Sequence, residues 1–183
     1  MPKLDGNVAL VTGGTSGIGF SAAKALAAEG AHTYITGRRE RELAAAVEEI
    51  GRNASGVRGD VSNVGDLERL YAQIRDEKGR VDILFMNAGI AKYAALGNIT
   101  EELYDSIFNL NVKEVLFTVQ KALPLMPEGA SIILNASVVG SKGLSSNSVY
   151  SATKAAIRLV RANMDYGSQR SPNKGKRDQP RHY

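Results

Sequence analysis

The sequence predicts an α/β fold, a doubly wound parallel sheet covered by helices on both faces. Two observations point there. Short apolar runs alternate along the chain with stretches whose apolar residues recur at helical spacing, the strand–helix–strand order of a parallel sheet. The runs VALV, DILF and SIIL are continuous rather than alternating, as in strands buried on both faces. In such sheets ligands bind outside the carboxyl ends of the strands, so the residues after each run bear most on function.

The first strand pattern covers 7–13 (NVALVTG) and runs into Thr12-Gly13-Gly14-Thr15-Ser16-Gly17-Ile18-Gly19. An Ala/Leu-rich helical pattern follows over 17–29. Gly13, Gly17 and Gly19 allow a tight turn, close approach of backbone to a phosphate, and close helix–strand packing. The helix N-terminus beyond them offers free N–H groups to an anion. Thr15, Ser16 and Ile18 share this turn, which reads as a dinucleotide site. A P-loop is excluded: Gly14 and Gly19 have its spacing, but Phe20 stands where lysine is required.

The second strand, 32–37, ends at Gly37-Arg38-Arg39, which opens a charged helix over 39–50. An acid at this place would suit the ribose 2′-OH of NAD. The cation Arg38 suits a 2′-phosphate, and NADP is favoured over NAD. The third strand, 57–61, ends at Asp60-Val61, a pair that either borders an adenine or caps a turn. A helix follows at 66–78. The fourth, 81–89, ends at Asn87-Ala88-Gly89, small residues that let a ligand lie against the backbone. A long helical pattern then runs from about 100, where Thr100, Glu101 and Glu102 resemble a helix start, to Pro124. The fifth strand, 130–137, ends at Ser137. Tyr150 and Lys154 lie on a last helix over about 148–165, four residues apart on one face. A nearby ammonium favours the tyrosinate and moves the phenol toward acid/base work near neutrality.

Composition narrows the rest. The chain has 183 residues, 43% apolar and 23% charged, which reads as globular. The absence of cysteine excludes disulfide scaffolds, thiol catalysis and cysteine–zinc sites, and two histidines, His32 and His182, argue against any metal centre. No apolar run approaches the ~20 residues of a membrane helix, and no signal-peptide core is present. A cytoplasmic protein is the default. Of 23 Lys and Arg, five lie in 167–183 against one of 19 Asp and Glu, so this segment carries the whole net charge of +4. Residues 1–166 are balanced. We therefore expect a dinucleotide-binding domain over 1–166 and a basic, disordered tail over 167–183, with no nucleic-acid face on the domain. A serine hydrolase is disfavoured by the lack of GxSxG.

TGGTSGIG, NAG, the Asn111 of NLNV, Ser137 and YSATK, in this order and spacing, resemble the short-chain dehydrogenase/reductase family from about Asn7 to Arg161. The resemblance implies a Rossmann-type fold and hydride transfer between NAD(P)H and a carbonyl or alcohol. It implies that Tyr150 is the general acid/base and also contacts the cofactor, that Lys154 holds the nicotinamide ribose, that Ser137 hydrogen-bonds the substrate oxygen and that Asn111 supports a water-linked proton path. By the same resemblance Gly13 to Gly19 hold the pyrophosphate and Arg38 the 2′-phosphate. Asp60 and Val61 border the adenine, and Asn87, Ala88 and Gly89 the middle of the cofactor.

The sequence departs from the family in three places. Glu114 stands where the family commonly has a small residue, and is expected to crowd the helix or shift Asn111. Asn135, inside an apolar strand, needs a partner if buried. After the YxxxK helix the strand, Pro-Gly loop and last strand that the family carries have no counterpart, so a truncated or frame-shifted chain is expected. On that expectation the fifth strand becomes a sheet edge, turnover is low or absent, and homo-oligomer contacts through the last helix are weakened. The alternative function is a fragment that only binds nucleotide or a partner subunit.

Overall fold

The computed structural model describes residues 2–168. Five strands form one parallel sheet in the order β3-β2-β1-β4-β5. β1 (Val8–Val11) and β4 (Ile83–Met86) lie at its centre, and every residue of both is buried. β2 (His32–Gly37) joins β1 to the outer β3 (Ala54–Arg58), and β5 (Ser131–Leu134) pairs with β4. Strand order reverses between β1 and β4, so the crevice opens above their carboxyl ends.

Helices cover both faces because each strand presents apolar side chains alternately up and down. On one face Val11, Ile35 and Phe85 meet Ala23 of α1 (Gly17–Ala28) and Leu43 and Ala46 of α2 (Glu40–Ile50). On the other, Leu10, Tyr34 and Leu84 meet Leu70 and Ile74 of α3 (Val64–Glu77) and Val115 and Val119 of α5 (Glu114–Ala122). Fully burying a residue such as Leu84 contributes roughly 1.5–3 kcal/mol. Asp82 fastens the bottom of the sheet. Its Oδ2 accepts from the Val8 amide at 2.9 Å and from Arg80 Nε at 2.9 Å.

The long helical pattern after β4 is three segments in line. α4 (Glu101–Phe108) is capped by Thr100, whose Oγ1 accepts from the Leu103 amide at 3.2 Å. A π turn, Asn109–Lys113, leads into α5, and a 3₁₀ turn, Leu123–Leu125, carries Pro124. α6 (Ser148–Ser168) follows a second 3₁₀ turn, Val138–Gly140.

Three expectations need correction. The third strand lies at Ala54–Arg58, three residues before the predicted 57–61. ASGVR has no apolar run to reveal it. It is defined by pairing with β2, and Gly56 lets it pass close to Leu43 and Val47. SIIL is not buried on both faces: Ile133 is 47% exposed, because β5 is the sheet edge among the described residues. Finally, α6 runs to Ser168, past the predicted helix end at about 165, and residues 169–183 of the expected tail lie outside the described residues. No helix among the described residues is long and apolar enough to cross a membrane.

Candidate active site

β1 delivers the chain into a turn that only glycine fits. Gly13 and Gly17 have φ of +63° and +57°, the left-handed region that side chains disfavour. A Cβ on Gly13 would lie 3.0 Å from Ala88 Cα, and one on Gly19 would run into Asn87 Nδ2 and the Gly13 carbonyl. Ser16 precedes α1 in extended conformation, and its side chain caps no amide there. The first turn of α1 also lacks acidic residues, so its amides and dipole are left open to an anion.

This turn forms one wall of a crevice of about 540 Å³. Gly13, Thr15, Ser16, Ile18, Arg38, Asp60, Val61, Asn87, Ala88 and Gly89, all singled out from sequence, line it together. Gly17 and Gly19 do not line it but shape its wall. Thr36, Gly37, Arg39, Gly59, Ile90 and Leu110 complete the lining. Arg38 stands at the mouth with its guanidinium 3.7 Å from Asp60 Oδ2, an exposed and loose pair. Of the two roles foreseen for Asp60, the turn cap is seen directly. It lines the crevice, and its Oδ1 closes a turn by accepting from the Ser62 amide at 3.0 Å and hydroxyl at 2.7 Å.

The floor is held by Thr12, Asn87 and Asn135, of which only Thr12 carries no role in the sequence pattern. Thr12, fully buried, uses Oγ1 to accept from the amides of Asn87 and Ala88, each at 3.0 Å. Asn87 Nδ2 returns to the carbonyls of Thr12 and Gly13, each at 3.2 Å, and Asn87 Oδ1 accepts from Asn135 Nδ2 at 3.0 Å. The Asn135 side chain thus has its partner. A buried threonine closing an apolar strand was the signal available for Thr12, and its two acceptor sites explain the choice.

Asn111 sits in the π turn that immediately precedes Glu114 and is 1% exposed. Its side chain clasps the backbone of Ile90: Oδ1 accepts from the amide and Nδ2 donates to the carbonyl, both at 2.9 Å. Nδ2 also donates to Thr153 Oγ1 at 3.1 Å, and Thr153 donates to the Tyr150 carbonyl at 2.7 Å. The crevice wall and the helix carrying Tyr150 are therefore linked through Asn111.

On α6, Lys154 Nζ lies 5.6 Å from the centre of the Tyr150 ring and donates to the Asn135 carbonyl at 2.7 Å. Burial lowers the proton affinity of Lys154, partly offset by Glu114. Ser137 begins the second 3₁₀ turn, with Oγ accepting from the Val139 amide at 3.4 Å. Gly140 of that turn presses on α6, where a Cβ would lie 2.8 Å from the Lys154 carbonyl carbon. Among the described residues no hydrogen bond joins Tyr150 to Ser137. Ser137 faces a second cavity of about 550 Å³ with Leu134, Val138, Ile157 and Arg161. The structure gathers the cofactor-side residues tightly and the four proposed catalytic residues only through α6 and its neighbours.

Comparison with known proteins gives the same outline. The family model described as short chain dehydrogenase matches residues 7–168. An oxidoreductase, asL5, of Sarocladium schorii is 47% identical over 158 residues, covering 85% of this chain and 64% of that protein. A sorbitol dehydrogenase of Cereibacter sphaeroides is 37% identical, with 85% and 62% covered. The crystal structure of a short chain dehydrogenase from Burkholderia cenocepacia in complex with NADP superposes with a TM-score of 0.84 at 32% identity, over 91% of this chain and 71% of that one. The chain thus spans somewhat under two thirds of the curated relatives' length.

Proposed function

The chain belongs to the short-chain dehydrogenase family, and we propose that it is an oxidoreductase that moves a hydride between NADP(H) and a carbonyl or alcohol substrate. The observation that carries this reading is the crevice. A glycine turn with no room for a Cβ, the open N-terminus of α1 and the guanidinium of Arg38 lie along one groove. That donor set fits a dinucleotide phosphate: backbone amides for the pyrophosphate and Arg38, with Arg39 beside it, for a 2′-phosphate. Asp60 and Val61 would flank the adenine, and Asn87 to Gly89 would leave the backbone open to the middle of the cofactor.

When bound, the nicotinamide supplies or accepts the hydride. The residues of this chain manage the proton. Tyr150 donates it to the carbonyl oxygen, or removes it from the alcohol, at its phenolic oxygen. Lys154, fixed to the Asn135 carbonyl, places a positive charge beside the Tyr150 ring and would reach the ribose. Ser137 would orient the substrate oxygen once its hydroxyl turns from the Val139 amide. Asn111 acts by position, since its own polar atoms are taken by Ile90 and Thr153.

A second reading, nucleotide binding without turnover, is favoured by one observation: Ser137 faces the second cavity and shares no hydrogen bond with Tyr150 among the described residues. NADPH consumption with a panel of ketones and aldehydes separates the two. Turnover abolished by Tyr150→Phe supports the oxidoreductase; NADPH binding with no turnover on any substrate supports the second reading.

A further inference from the structure

β5 ends at Leu134, the last residue that it pairs with β4. The chain turns sharply on the next residue. The Ala136 amide donates to the Leu134 carbonyl at 3.0 Å, which makes a three-residue turn centred on Asn135. A turn of this kind takes the central carbonyl out of the ladder, so strand pairing does not set its direction. That carbonyl accepts from Lys154 Nζ at 2.7 Å, the one hydrogen bond of the Lys154 side chain among the described residues.

What aims the carbonyl is the side chain of the same residue. Asn135 Nδ2 donates to Asn87 Oδ1 at 3.0 Å. Asn87 is itself fixed: its Nδ2 goes to the carbonyls of Thr12 and Gly13, each at 3.2 Å, and its amide to Thr12 Oγ1 at 3.0 Å. Asn135 is therefore gripped on two sides, its amide by the Met86 carbonyl at 3.0 Å and its side chain by Asn87. Through it Lys154 is tied to the carboxyl ends of β1 and β4, and not only to α6. We propose that Asn135 is a positioning residue for Lys154: its side chain, pinned to Asn87, fixes the carbonyl that holds the ammonium beside Tyr150.

The need for such an anchor follows from the lysine itself. Its long, flexible stem loses rotamer freedom when it is held, and it settles in one place only where a fixed acceptor selects that place. Lys154 Nζ lies 5.6 Å from the centre of the Tyr150 ring, a range at which a small displacement changes the field on the phenol. An ammonium has three N–H donors, so the one given to Asn135 leaves the others for a bound cofactor.

The inference rests on the proposed function only for the task of Lys154; the holding of its side chain is measurable without cofactor. In NMR of the chain labelled at lysine Cε with ¹³C, a held lysine shows resolved ε-proton signals and a free one a single averaged signal. The Lys154 signals are those absent from Lys154→Met. They are expected to be resolved in the unsubstituted chain and to merge in Asn135→Ala, which keeps the carbonyl and removes only its anchor. Asn135→Asp, equal in size but without the donor, serves should the first fail to fold. Asn53→Ala is the control for general loosening: it removes another side-chain amide, from the Ala27 carbonyl it holds at 3.1 Å, and should leave the Lys154 signals resolved. Turnover is expected to fall about tenfold in the Asn135 variant. Lys154 signals merged in the unsubstituted chain, resolved in a folded Asn135 variant, or merged in Asn53→Ala as well overturn the proposal. So does unchanged turnover with the signals merged in Asn135→Ala. Merging confined to the Asn135 variant, in a chain that reduces no carbonyl substrate with NADPH, upholds the positioning and removes the proposed function instead.

Discussion

At the mouth of β1 and β4 the polar groups answer one another. Thr12 takes the amides of Asn87 and Ala88, Asn87 takes two carbonyls, and Asn111 takes both polar groups of Ile90. The region around β5 and the start of α6 is built otherwise. Asn147 Oδ1 and Ser151 Oγ are buried without partners, and Ser146 has a φ of +59°, strained for a residue with a side chain. Val138 is 64% exposed beside Ser137. The first region is made from consecutive strand–helix turns and is complete in itself. The second carries the proposed proton donor on a scaffold with weaker local support, so binding and turnover should respond differently to mutation.

Tyr150→Phe is the largest expected break between the two. Turnover should fall by about a thousandfold while NADPH affinity changes less than about threefold. Stopped-flow rates beside fluorescence titration would check this, and an equal loss of both would mean that Tyr150 belongs to the binding region.

Next comes pH. The folded-state affinity of Glu114 for its proton is raised from 4.5 to about 8, so folding takes up a proton between these values. The stability this contributes is complete below about 4.5 and is lost as pH rises through 8. Urea unfolding of the chain should therefore weaken by about 2–4 kcal/mol between pH 5 and pH 8.5, and Glu114→Gln should flatten most of that slope. A slope unchanged in the variant would place its cause elsewhere.

Gly19→Ala should act on the crevice alone. Its Cβ would displace Asn87 Nδ2 and the Gly13 carbonyl, and NADPH affinity should fall about thirtyfold, near 2 kcal/mol. Circular dichroism should show the fold intact. The smallest effect belongs to the edge: Ile133→Thr, at a half-exposed position on β5, should change stability by less than about 0.5 kcal/mol. A larger loss, read from the same urea curves, would show that this face of β5 is covered in solution.

Much of this was legible in the sequence, for physical reasons. Strands buried on both faces announce themselves, so β1 and β4 stand out, and glycines that must adopt positive φ mark the crevice. β3 was misplaced because ASGVR is held by its partner and by the space at Gly56, neither of which is a local property. The place of β5 at the sheet edge was expected and is the one it takes among the described residues, whereas its apolar run suggested burial on both faces, because such a run says what a strand can bury and not what its neighbours cover. The π turn at Asn109–Lys113 leaves no pattern in composition. Asn111 stands out in the sequence, but the use of its side chain on Ile90 does not, because the contact spans 21 residues. Glu114 was visible as an oddity, while the burial of its carboxyl depends on the packing of α5, which no local pattern records.

Titration with NADPH and NADH, followed by nicotinamide fluorescence, reads most directly whether the crevice is an NADP site. NADPH is expected to bind about tenfold tighter than NADH, with Arg38→Ala erasing the difference by weakening NADPH alone. Equal affinity for the two in the presence of Arg38, or no binding of either to the folded chain, would contradict an NADP site.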